Sequence, residues 1–248
     1  ATRIWWRILL DPSSRALDAA FQEAVERAIA SSEAWTRRDP GRAEAWFYTG
    51  AAYGVRVQWR VLRLQRLAAA RDGKRIKTAL ERALALDPSL EDANFGIGLY
   101  QYYADVAPAA LRFLRVLLLL PGGNRAEGLA RMLRARDRGQ LLRGEADYQL
   151  QVIDLWYEHR FDRARDRLRD LERRYPHNPL FTQLVAEVQD TYFHEPASAL
   201  ATWRRLIDRA RRGEVREAGI AEARARLGAA RQLDALEESD AAADLVRP

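Results

Sequence analysis

The sequence predicts an all-α protein built from stacked pairs of helices, an α-solenoid, and three observations carry that reading. The stretch from Glu145 to Phe181 holds a complete helical hairpin. Tyr148, Val152, Leu155 and Trp156 recur at three-to-four-residue spacing, and Phe161, Ala164, Leu168 and Leu171 then do so again. Pro176 and Pro179 bracket His177 and Asn178, as a helix stop followed by a new first turn would. The steps from Ala164 through Leu168 and Leu171 to Pro176 also return earlier in the chain as Ile76, Leu80, Ala83 and Pro88. A unit of this kind cannot bury its apolar faces alone, so stacked neighbours must form the core.

Composition narrows the class. The 248 residues are 48% hydrophobic and 31% charged, enough for a sizeable core and without the signature of disorder. Cysteine is absent, which excludes disulfides, thiolate zinc sites and a cysteine nucleophile and leaves cytosol and periplasm equally open. The net charge is +6, but the basic residues are almost all arginine and alternate with acids along helical stretches. That pattern describes solvated helix faces laced with i,i+4 ion pairs, not a nucleic-acid surface. The chain starts at Ala1 without a methionine. It reads as a trimmed chain or a mature one whose signal peptide is gone, and the second option favours the periplasm.

Taken in order, ATRIWWRILLDPSS precedes a helix expected after Ser13 or Ser14, whose Leu17, Phe21, Val25 and Ile29 share one face. Trp5 and Trp6 are expected as a hydrophobic lid on the first helices, and Asp39–Pro40–Gly41 as the turn that ends them. The helix from Ala43 carries Trp46, Gly50 and Tyr53, and VLRLQRLAAARDGK extends it and its turn, so that its partner arrives late and the longer first helix projects beyond the solenoid edge. Ile97 and Gly98 then supply the next apolar and small positions. The helix from Pro108 to Leu120, ended by Pro121–Gly122–Gly123, reads as an insertion between repeats. Arg112 and Arg115 interrupt its apolar run, which is far short of the ~20 residues that a membrane span needs. Asn124 with Glu127 forms an arrangement like a capping box. Beyond the central hairpin, Phe181, Leu184, Val185 and Val188 face Ala199, Trp203 and Leu206 across His194–Glu195–Pro196. A last helix from roughly Val215 to Leu236, with Ile220, Leu227, Leu233 and Leu236, reads as a terminal cap, and ESDAAADLVRP as a frayed tail.

The spacing of Trp46, Gly50 and Tyr53, together with that of Tyr148, Ala164, Leu168, Leu171 and Pro176, resembles the tetratricopeptide repeat. Within that family, GIGLYQYY, the LPGG-ended helix, NRAEGL, LLRGEADYQL and LWYEHRFDRA resemble a bacterial branch akin to the eukaryotic mitochondrial outer-membrane and inclusion-clearance proteins. This resemblance runs over roughly Ala43 to Phe181. It implies a right-handed α-solenoid with the first helices lining a concave face, and an interaction protein with no catalytic residues to carry over. The organisation expected is a helical cap over 1–42, two repeats over 43–107, inserted helices over 108–142, two repeats over 143–212 and a capping helix with tail over 213–248.

Catalytic patterns are not visible. His159, His177 and His194 stand apart and outside any metal-binding spacing, and the glycines of GIGLY and PGGN do not follow strands. Asp154 and Glu158 share a helix face and are expected to pair with Arg160 or Arg163 rather than to do acid–base work. No enzyme, cofactor or metal site is therefore expected. The expected partner is a peptide or protein held in the concave groove. Tyr48, Arg56, Arg60 and Tyr102 are its candidate contacts, because arginine forks beside aromatic faces suit carboxylates and apolar anchors. Two other readings stand beside it: membrane or lipid association through the helix of Arg112 and Arg115, and a subunit of a larger assembly docked through the same helix.

Overall fold

A computed structural model describes residues 1–106 and 122–246, and every described element is helical. In chain order they are α1 (Thr2–Leu10), α2 (Asp18–Arg38), α3 (Ala43–Leu62), α4 (Arg66–Leu86), α5 (Ala93–Val106) and α6 (Arg125–Arg138), then α7 (Arg143–Trp156), α8 (Phe161–Arg174), α9 (Pro179–Thr191), α10 (Pro196–Arg211), α11 (Ala218–Ala235) and α12 (Ser239–Val246). Consecutive helices pack against each other, as in a helical repeat. Among the described residues no helix is long and apolar enough to cross a membrane. The apolar stretch with Arg112 and Arg115 lies outside the described residues.

Two kinds of turn alternate, and local chemistry accounts for both. After α2, α4 and α8 the chain stops at Asp39, Asp87 and Tyr175, each out of the helical region with a positive ψ and followed by a proline. Proline restricts its predecessor to just that region and so ends the helix. Within the hairpins α3/α4, α7/α8, α9/α10 and α11/α12 the turn instead contains a left-handed residue: Leu64, His159, His194 and Glu237 have φ of 60°, 53°, 54° and 65°. The residue that follows sends its N–H back to a carbonyl of the finished helix, as in Gln65 to Arg60 (2.8 Å) and Glu195 to Gln189 (2.9 Å).

The chain divides into two compact units, Ala1–Ile8 with Pro12–Ala146, and Leu9–Asp11 with Asp147–Pro248. In the first, Phe21, Val25 and Ile29 of α2 meet Phe47, Tyr53 and Trp59 of α3, with Phe21 stacked on Trp59 at 5.8 Å. Each such buried side chain contributes roughly 1.5–3 kcal/mol relative to exposure. Trp5 is buried against Phe21 as the expected lid, but it does so from α1, a helix that the sequence reading placed as a lead-in. Leu80 of α4 is pinched between two glycines. A Cβ on Gly50 would lie 2.6 Å from its Cδ2, and one on Gly96 2.4 Å from its Cδ1. Gly98 and Gly128 bring α5 and α6 together, each Cβ position lying 2.6–2.7 Å from the other's carbonyl oxygen. Helix α6, which the sequence placed among inserted helices, is thus the direct packing partner of α5. The Asn124 side chain accepts from the Glu127 N–H (3.0 Å), so the expected cap is present.

In the second unit, Leu155, Ala164, Leu168, Val185 and Val188 form one cluster across α7, α8 and α9. A second cluster runs from Ala186 through Leu200, Trp203 and Leu206 to Ala221, Ala225, Ala229 and Leu233. Helix α11 packs through small residues. A Cβ on Gly228 would fall 2.4 Å from the Trp203 indole, so only glycine lets the helix sit against that ring. Ile220 and Leu227 accordingly lie on its outer face, 42% and 48% exposed. The tail expected to fray forms α12, because Ala241, Ala242 and Leu245 pack on the α11 cluster.

Candidate partner-binding surface

Asp72 decides the fate of the arginines expected in the groove. Its carboxylate is fully buried on α4 and binds Arg56 through two bonds of 2.9 and 2.8 Å, as well as Arg60 at 2.6 Å. Glu26 takes the third Arg56 nitrogen at 2.6 Å. Burial opposes the Arg56 charge, but these carboxylates outweigh it and raise the guanidinium pKa. Tyr53 lies under the guanidinium groups of Arg56 (4.8 Å) and Arg75 (5.3 Å), and its hydroxyl donates to Glu33 at 2.5 Å. Arg56 is 7% exposed and is a structural lock joining α2, α3 and α4. Arg63, two turns on at the end of α3, ties that end to the start of α2, bonding Asp18 (2.7 Å) and the carbonyls of Pro12 and Ser14.

Tyr102 is fully buried, edge-on to Tyr103 at 5.5 Å. Of the expected contacts only Tyr48 is largely open, 47% exposed and stacked on Trp35 at 6.1 Å beside a shallow notch lined by Arg38, Asp39, Pro40, Gly41 and Arg42. Tyr48, Arg56, Arg60 and Tyr102 therefore do not form one open surface, and Arg112 and Arg115 lie outside the described residues. The carboxylates of α7 are likewise engaged. Asp154 pairs with Arg167 (2.9 Å), Asp147 with Arg167 (3.1 Å) and Arg174, and Glu158 with Arg160 (3.3 Å). Arg160 is the partner that the sequence indicated, while Arg167 takes the place given to Arg163. His177 is the loop residue expected between two prolines, its Nδ1 lying 2.8 Å from the Glu214 carbonyl oxygen. Among the described residues no group of three or more His, Cys, Asp or Glu could hold a metal ion.

The second unit gathers polar groups around the exposed Glu187 of α9: Gln183 of the same helix bonds it, Arg224 and Arg231 of α11 act on it through their charges, and its own charge acts on Tyr148 of α7. Solvent reaches the Glu187 carboxylate, yet burial raises its pKa; the Gln183 hydrogen bond (2.9 Å) and the charges of Arg224 and Arg231 oppose the rise without cancelling it. Burial, and next the Glu187 charge, push Tyr148 up to about 12. On α11, Ile220, Arg224, Leu227 and Arg231 follow at i, i+4, i+7 and i+11, so that two exposed apolar side chains alternate with two cations on one stripe. Arg224 also bonds Asp11 at 2.6 Å. Sequence reading missed this stripe because it assigned Ile220 and Leu227 to the packed face. No protein-family model and no curated protein matches the chain.

Proposed function

We propose that the chain is a non-catalytic protein–protein interaction scaffold, a right-handed solenoid of tetratricopeptide-like helix pairs that binds a peptide segment of a partner along its first helices. The observation that supports this reading is the Ile220–Arg224–Leu227–Arg231 stripe of α11, in which two exposed apolar side chains alternate with two arginines whose charges act on Glu187 of α9. Such a surface suits a segment in which acidic residues alternate with apolar ones. The apolar residues cover Ile220 and Leu227, and a carboxylate takes Arg231 in the fork geometry that guanidinium favours. Arginine is among the residue types enriched at the energetic centres of protein interfaces.

Selection of a random displayed-peptide library on the full-length chain tests the proposal. The expected result is enrichment of acidic–apolar peptides that lose at least tenfold in affinity, about 1.4 kcal/mol, for Leu227→Asp/Arg231→Glu. Peptides that bind this folded variant as well as the original would sink it.

A further inference from the structure

The hairpin α3/α4 turns at an end that carries exposed apolar residues. Its helices have 20 and 21 residues, matching the 21 of the neighbouring α2 and exceeding the 14 each of α7 and α8 by roughly 9–10.5 Å at 1.5 Å per residue. At the tip Val61, Leu64 and Leu67 are 60%, 73% and 44% exposed. Leu64 is the most exposed of them and holds a φ of 60°, a conformation that disfavours a residue with a Cβ. Every other left-handed hairpin residue is polar (His159, His194, Glu237), so the fold asks for the geometry and not for a leucine.

The charge around the tip is one-sided. From Ala45 to Arg71 the sequence has no acidic residue. Arg56, Arg60 and Arg63 are spent on Asp72 and Asp18, but Arg66 and Arg71 are exposed and have no acidic partner among the described residues. Leu67, Arg71 and Lys74 follow at i, i+4 and i+7 on one face of α4, where the nearby Asp72 is turned inward.

We propose that this tip docks on an anionic lipid surface, with Val61, Leu64 and Leu67 entering the headgroup boundary and Arg66, Arg71 and Lys74 meeting lipid phosphates. Charge complementarity selects an anionic occupant. The position at a turn selects a bilayer, because apolar side chains exposed at a loop tip can enter a fluid interface without a matching pocket. The inference is independent of the peptide surface on the second unit.

The test is sedimentation of the full chain with vesicles of phosphatidylcholine alone and of phosphatidylcholine mixed equally with phosphatidylglycerol. Binding is expected to the mixed vesicles only. Arg66→Gln/Arg71→Gln should weaken it roughly 25-fold, from about one elementary charge's worth of surface attraction per arginine, whereas Arg163→Gln/Arg169→Gln on the second unit should not. Leu64→Asn separates lipid binding from folding. It relieves the left-handed leucine and so raises the melting temperature while it lowers vesicle binding. Equal binding by all variants, or no binding by the original chain, overturns the proposal. So does a Leu64→Asn variant that shows no change with vesicles but dissociates a dimer in sedimentation velocity, since the tip would then be covered by a second copy.

Discussion

Arg56 lies on α3 of the first unit with its guanidinium bonded to Asp72 and Glu26, whereas Arg231 on α11 of the second unit faces Glu187 and stays open to solvent. Both occupy first helices of hairpins, so position in the repeat does not set their roles. For Arg56 a buried acid on the packing partner does, since α4 supplies Asp72 at zero exposure, whereas Arg231 meets only the exposed Glu187. Arginine is a structural rivet where a carboxylate meets it inside, and the proposed peptide site needs one that is left outside. The largest test of that contrast is Asp72→Ala. It strands Arg56 and Arg60 beside a buried vacancy, and breaking a buried pair in this way costs about 3–5 kcal/mol. Hydrogen exchange on the full chain should show the loss of protection in α2, α3 and α4 with α9 to α11 unchanged. Arg231→Ala should leave thermal stability within about 0.5 kcal/mol. A comparable loss from both would remove the distinction.

The glycines offer a second contrast of closed and open surroundings, smaller in size. On Gly98 a Cβ would meet the Gly128 backbone oxygen at 2.6 Å, and backbone cannot step aside, so Gly98→Ala should destabilise by about 1–3 kcal/mol. Gly54, four residues beyond Gly50 on α3, has nothing within 4 Å of its Cβ position, and Gly54→Ala should stabilise by about 0.5–1 kcal/mol through helix propensity alone. Chemical denaturation of the two variants measures both. A stabilising Gly98→Ala would mean that α5 and α6 can separate, and that their hairpin is not fixed by the glycine contact.

What the sequence disclosed followed from how local each feature is. Proline stops after α2, α4 and α8, the Asn124 cap and the small residues at Gly50 and Gly98 depend on a few neighbours, and they are where the pattern put them. The faces of α11 were misread because alanine and glycine carry almost no hydropathic signal, so Ile220 and Leu227 looked like the packed side. The groove arginines were misplaced for a different reason: Arg56 is decided by a residue on another helix. A signal for it was nonetheless present. Asp72 falls in the register of Ala69, Ile76, Ala79 and Ala83, and an acid on an apolar stripe asks for an inward-facing cation. Asp147 and Asp154, beside Leu150 and Leu155, carry the same mark and are met by Arg167 and Arg174.

Titration sharpens the comparison at its open end, where the expected effect is smallest. Burial raises the Glu187 pKa above its ordinary 4.5 despite the nearby Arg224 and Arg231. A carboxyl whose folded pKa is raised favours the folded state while protonated. That contribution is full below the unfolded value near 4.5 and is lost as pH rises through the folded value. At neutral pH the ionised Glu187 is therefore a cost to the folded state. Glu187→Gln should raise stability at pH 7, and the gain should vanish by about pH 3, where both side chains are neutral. The same variant frees Arg231 from its facing charge and should tighten the binding of acidic peptides to the α11 stripe. Carboxylates tied into arginine locks behave oppositely: Glu91, which Arg134 binds at 2.5 Å, has its pKa lowered and contributes stability above 4.5 that disappears as the solution is acidified. Melting curves of Glu187→Gln and Glu91→Gln from pH 3 to 7 should thus diverge in sign at the neutral end and converge at the acid end. Parallel curves would place Glu187 in a paired environment like that of Glu91, and Arg231 would not be the open cation that the peptide site requires.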